Sequence, residues 1–96
     1  MTWKPPFAVS RKALELAREA ASQGLVVFSE HARLRMVQEQ VSENDVVIAM
    51  RTATRADPGD GPDRWRLSGG ATDDGRELCV VVALVWNTIV VTVFSK

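Results

Sequence analysis

Leu78–Val85 is apolar at every position, and Ile89–Phe94 follows it after the short segment Trp86-Asn87-Thr88. A half-buried strand alternates apolar and polar residues, whereas a strand apolar on both faces belongs inside a covered sheet. The pair therefore reads as two antiparallel strands joined by a tight turn. The first is central, covered by helices on at least one side, and expected to host no chemistry. Any site is expected at the margins of the sheet. A chain of 96 residues supports one core around this pair.

Upstream of the central strand, Asp73-Asp74-Gly75 reads as a hairpin turn. Arg64–Ser68 alternates, with Trp65 and Leu67 on one face and Arg64, Arg66 and Ser68 on the other. Residues 56–63 contain Asp-Pro-Gly-Asp-Gly-Pro and are expected to form a flexible loop between a helical half and a β half. In the helical half, Pro5-Pro6 is expected to keep residues 1–9 as an arm, pinned by Trp3 and Phe7. Ser10 then caps a helix from Arg11 to Gln23, which Gly24 ends. Leu25–Phe28 is a brief strand or connector. Ser29 caps a second helix, Glu30–Glu39, expected to bury Ala32, Met36 and Val37 with help from Leu34. Ser42 and Asp45 fit a capping box for a third helix, Glu43–Thr52, that buries Val46, Val47 and Met50. The expectation is one α+β domain over residues 1–96. Its three helices pack on one face of a small antiparallel β-sheet, in the order α-β-α-α-β-β-β.

Several function classes are disfavoured at once. Twelve basic residues balance twelve acidic ones, so net charge alone does not argue for a nucleic-acid partner. Cys79 is the only cysteine, which excludes an intramolecular disulfide. With a single histidine beside it, a four-ligand structural zinc site is also excluded, and no metal or cofactor is expected. Asp57, Asp60 and Asp63 lie in the Gly/Pro-rich stretch and read as solvated turn acids. No apolar run approaches the ~20 residues of a membrane helix. Met1–Pro6 lacks the form of a signal peptide, so the cytoplasm is the expected location and no membrane partner is expected.

One set of residues carries a family resemblance. It comprises Phe28-Ser29-Glu30-His31-Ala32, Arg35-Met36, Val41-Ser42, Asp45-Val46, Arg64–Gly69, Asp74-Gly75-Arg76 and Ile89–Val93. This pattern resembles a bacterial domain-of-unknown-function family whose members are often encoded beside a small antitoxin-like protein. The layout over residues 10–96 also resembles the MqsR toxins. What the resemblance implies is a RelE-like fold and a type II toxin. Such a toxin is a metal-independent messenger-RNA endonuclease, ribosome-dependent or free, silenced by a cognate antitoxin.

Metal-free RNA cleavage uses the 2′-OH as nucleophile. It needs a proton acceptor, cations for the phosphorane charge and an acid for the leaving oxygen. His31 is the one side chain of a type that titrates near neutrality, and it sits in the first turn of the second helix. Arg35 is four residues on, on the same helical face. Arg64 and Arg66 share a strand face suited to bidentate phosphate contacts. The expected catalytic set is His31, Arg35 and Arg64, with Arg66, Arg51 and Lys96 binding RNA. Lys96 and Ser95 stand where the MqsR toxins have a functional lysine. The chain has no tyrosine, so a tyrosine acid, used by several proteins of that fold, is excluded. Trp65 lies between two arginines, but its phase puts it on the core face. Two other readings stand beside the nuclease. One is a non-catalytic protein-binding module or regulatory partner. The other is a homodimer paired through the edge of Ile89–Phe94.

Overall fold

The computed structural model describes residues 6–61, 63–84 and 88–95. The expected contacts of Trp3 and Phe7, the turn residues Trp86 and Asn87, and Lys96 lie outside what it describes. Helix α1 spans Pro6–Gln23 and so starts earlier than expected, with Ser10 inside the helix rather than at its cap. Proline is well suited to a first helical turn, because its fixed φ is already helical and its missing N–H would find no partner there. Ala13, Ala17 and Ala21 recur every four residues as a buried stripe. Gly24, at φ 72°, ends the helix in a double cap: its N–H donates to Ala21 O and that of Leu25 to Ala20 O.

Strand β1 (Val26–Phe28) leads into α2 (Glu30–Glu39), and α3 (Glu43–Thr52) follows after a break at Gln40, which is left-handed at φ 57°. The Ser29 hydroxyl accepts from Ala32 N at 3.0 Å. The capping box of α3 is complete: Asp45 N donates to Ser42 Oγ and Ser42 N to Asp45 Oδ2. Ser42→Ala removes the hydroxyl that satisfies the Asp45 amide and is expected to lower the unfolding free energy by about 1 kcal/mol, read as a lower urea midpoint.

The sheet has five strands in the order β1-β5-β4-β3-β2, where β2 is Arg55–Pro58, β3 Arg64–Ser68, β4 Leu78–Leu84 and β5 Thr88–Ser95. The fold is α+β as expected, with two differences. The sheet is mixed, because β1 runs parallel to β5. In addition, Arg55–Pro58, which takes in the first three residues of the expected loop, is an edge strand antiparallel to β3. An edge position tolerates Pro58, whose missing N–H needs no ladder partner there.

One face of the sheet carries the core. Ala56, Leu67, Leu78, Val80, Val82, Val90 and Val93 pack with the buried residues of the helices. A β-bulge places Val91 opposite no residue of β4: Val81 faces Thr92 and Val82 faces Val90. The extra residue reverses the phase of β5, so Val90 and Val93 both point into the core. Thr92 and Phe94 are left on the other face, so Thr92 does not share a face with Val90.

Helix α2 lies along the outer edge of β5. Ser29 N donates to Val90 O, the Ser29 hydroxyl to Val91 O, and Ser95 N to the Glu39 carboxylate at 2.6 Å. With β1 paired to residues 88–90, this edge is covered, so the homodimer expected through Ile89–Phe94 has no free edge to use. The two tethers also set the rotation of α2. Ala32 and Met36 are buried, but Leu34 and Val37 are 57% and 75% exposed rather than part of the stripe.

Candidate functional site

The face of the sheet opposite the helices is open. Across it, Asp57 pairs with Arg66, Arg66 with Val81, and Val81 with Thr92, giving one continuous row over four strands. Alternation puts Arg64 and Arg66 on this face and buries Leu67 on the other, while Trp65 packs partly buried against the core as expected. Arg64 lies one pleat from Arg66, about 7 Å along the strand.

Two cavities of about 300 Å³ and 310 Å³ lie on this face and share the side chains of Arg66 and Phe94. Together they form a groove. One half is lined by Arg64, Val91 and Thr92, with Gly59 and Asp60 at its lip. The other is lined by Arg55, Asp57, Ser68 and Cys79. The groove crosses β4 at Cys79 and Val81, so side chains of the central strand form its floor. Its residues supply the apolar floor and the flanking strands supply the charge.

The electrostatics of the two halves differ. Asp57 is an ordered strand residue rather than a turn acid, and Arg55 Nε lies 3.0 Å from its carboxylate. That pair is locally neutral. Arg64 and Arg66 are exposed, and among the described residues neither guanidinium has a carboxylate within ion-pair distance.

Of the other expected site residues, His31, Arg35 and Arg51 do not line this groove, and Lys96 lies outside the described residues. His31 is exposed in the first turn of α2, as the Ser29 cap implied. His31, Arg35 and Glu39 recur every four residues and form one row on the flank of α2. Glu39 anchors that row to the end of β5. Arg35 donates to Gln38 Oε1 at 3.2 Å. Neither His31 nor Arg35 lines the groove. Strand β3 is two strand spacings from β5, about 10 Å, and α2 lies beyond β5. Arg51 is on the helical side of the molecule, in a depression with Arg18 and Asp73, and does not join Arg64 and Arg66.

Arg76 and Glu39, which carried no expectation, close the end of β5. The Arg76 guanidinium donates to Ser95 Oγ at 2.6 Å and to Gln40 O at 3.4 Å. The hydrogen bonds from the Ser95 amide and hydroxyl, with a smaller contribution from Arg35 and Arg76, hold the Glu39 carboxyl below its ordinary pKa. A carboxyl with a depressed folded pKa stabilises the fold above its unfolded pKa, and that contribution is lost as pH falls through the folded value. The expected outcome is an acid limb in a stability–pH profile below the ordinary carboxylate range, shallower in Glu39→Gln. Chemical denaturation at several pH values measures it.

Residues 28–95 match the model of a family described as a domain of unknown function, DUF4258. The chain belongs to that family. The match begins at the last residue of β1 and includes α2, α3 and all four strands of the open groove; α1 precedes it. No curated protein and no solved structure matches the chain. Among the described residues no helix is long and apolar enough to cross a membrane.

Proposed function

We propose that this protein is the toxin of a type II toxin–antitoxin pair, a messenger-RNA endonuclease that binds RNA on the open face of its sheet. The observation that carries the reading is the pair Arg64 and Arg66, exposed and, among the described residues, without carboxylate partners, in a groove that also holds Phe94 and Thr92. Unpaired guanidiniums on an exposed strand suit phosphate oxygens, and they stabilise the charge that develops on phosphorus when a 2′-OH attacks. Thr92 adds a hydroxyl to the same half. His31, in the first turn of α2 two residues after Ser29, whose hydroxyl donates to Val91 O, is the residue for proton transfer in this reading. Apart from the added edge strand β2, the element order is broadly consistent with the layout that the RelE-like resemblance implies. In this reading the protein acts in the cytoplasm, and the partner that silences it is an antitoxin protein.

Expression of the chain alone is expected to arrest growth and fragment messenger RNA, and co-expression of the neighbouring gene to restore growth. His31→Ala is expected to lower cleavage about 100-fold or more while RNA binding persists. Full cleavage in that variant removes His31 from the mechanism. No arrest and no cleavage by the native chain removes the nuclease reading.

One observation favours a second reading. His31 does not line the groove, so the groove by itself holds cations but no group of a type that titrates near neutrality. A non-catalytic binding module uses the same arginines for recognition alone. RNA binding with no cleavage by purified protein selects it.

A further inference from the structure

We infer that the groove takes a single RNA strand across Phe94, with the phosphate in the Arg64 half and an unpaired nucleobase in the Asp57 half. This inference rests on the RNA reading above and adds to it how the strand lies and which residue makes it single.

Three observations carry it. First, Arg66 and Phe94 line both cavities, so they stand at the boundary between two subsites rather than inside one. Each subsite, at about 300 Å³ and 310 Å³, is at the small end of the range for small-molecule pockets, the scale of part of a nucleotide.

Second, the pairing of charges differs between them. Both halves share Arg66, but among the described residues the Arg64 guanidinium of the first has no carboxylate within ion-pair distance, whereas in the second Arg55 is paired with Asp57. A phosphate in the first half meets two unpaired guanidiniums, Arg64 and Arg66. The second offers a neutral pair with one donor and one acceptor group, the Ser68 hydroxyl, and an apolar patch at Cys79. Those are the features that an uncharged base edge uses.

Third, Phe94 is only half-buried although it lies on a sheet, and its strand neighbour across the ladder is Cys79, which is small. A small neighbour leaves room beside the ring. Base–aromatic stacking needs a ring reachable from the groove, and it requires a base that is not already stacked and paired in a helix.

The phosphate and base subsites make separable contributions. Arginine contacts set the salt dependence of binding, by a slope of about 0.7 per phosphate for a single strand. Stacking contributes affinity with no change in that slope.

The test uses the full-length protein and a fluorescein-labelled oligoribonucleotide of about ten nucleotides, long enough to span a site of this kind. It is 2′-O-methylated so that it cannot be cleaved, and is offered single-stranded or annealed to its complement. Anisotropy titrations at several salt concentrations are expected to show the single strand bound at least tenfold more tightly. Phe94→Leu is expected to weaken single-strand binding roughly tenfold with an unchanged salt slope. Phe94→Trp, which keeps a ring, is expected to retain binding, and a thermal melt confirms that both variants fold. Arg64→Ala is expected to lower the slope by about 0.7. Equal binding of duplex and single strand, or unchanged affinity in Phe94→Leu, overturns the inference while leaving the RNA reading in place. Binding of neither overturns both.

Discussion

Gly70→Ala is expected to cost about 3 kcal/mol of folding stability, a large share of the 5–15 kcal/mol typical of a small domain. A Cβ at this position would lie 1.9 Å from the carbonyl oxygen of Ala49, 2.9 Å from its carbon and 3.0 Å from Ala53 N. All three are backbone atoms at the end of α3, so no side-chain rotation relieves the clash. Either α3 moves off the sheet, which opens the contacts of the fully buried Met50, or the connection after β3 shifts and takes the Leu78 N–H to Gly70 O bond with it. Gly75→Ala is the control. Its backbone is left-handed, at φ 84°, as that of Gly70 is not, and nothing lies within 4 Å of its Cβ position. Its cost is the conformational penalty alone, about 1 kcal/mol. Urea unfolding of both variants separates close approach from backbone conformation. Equal midpoints for the two would mean that the α3–β3 junction yields easily.

That junction shows which parts of the fold the sequence makes visible. Gly69-Gly70 is legible as a bend, but the close approach of a helix C-terminus depends on residues some twenty positions away and leaves no local pattern. The capping box at Ser42, the Gly24 stop and the alternation of Arg64–Ser68 are local, and all three stand in the structure. Strand β2 was hidden because Asp57-Pro58 has turn chemistry, and it is a strand only because β3 offers it a ladder. The direction of β1 was hidden for a similar reason: pairing with β5 spans most of the chain. The rotation of α2 follows from Ser29 and Glu39 gripping β5, two tertiary contacts that outweigh the burial of Leu34 and Val37.

The site divides along the same line. Alternation placed Arg64 and Arg66 on one exposed face, because facing is a period-two property of a strand. Four-residue spacing likewise put His31 and Arg35 on one helical flank. What spacing within an element does not carry is where the two elements stand relative to each other. The bulge at Val91 compounds this, since one unpaired residue decides that Thr92 and Phe94 join the arginines while Val90 turns to the core. Arg51 had the right chemistry and the wrong side of the molecule.

The double variant Arg64→Ala/Arg66→Ala is expected to lower affinity for single-stranded RNA by about 100-fold or more and to leave stability within about 0.5 kcal/mol of the native chain. Both side chains are exposed and, among the described residues, neither has an ion pair to lose, so their removal leaves no buried group there unsatisfied. A charge-assisted contact is worth about 1.5–3 kcal/mol, and each such contact converts to roughly a tenfold to hundredfold loss in binding. The salt slope is expected to fall by about 1.4, two phosphates at about 0.7 each. Arg51→Ala carries the charge change of either single groove substitution, on the helical side of the fold, and is expected to leave affinity nearly unchanged, which separates a local site from a general effect of net charge. If Arg51→Ala weakens binding as much as either groove arginine, the RNA is attracted by overall charge and the open face holds no site. If the double variant keeps native affinity and slope, phosphates do not meet β3 at all. Loss in the groove variants and not in Arg51→Ala, with a folded protein and a shallower slope, places the phosphates on the strand face where two guanidiniums stand one pleat apart.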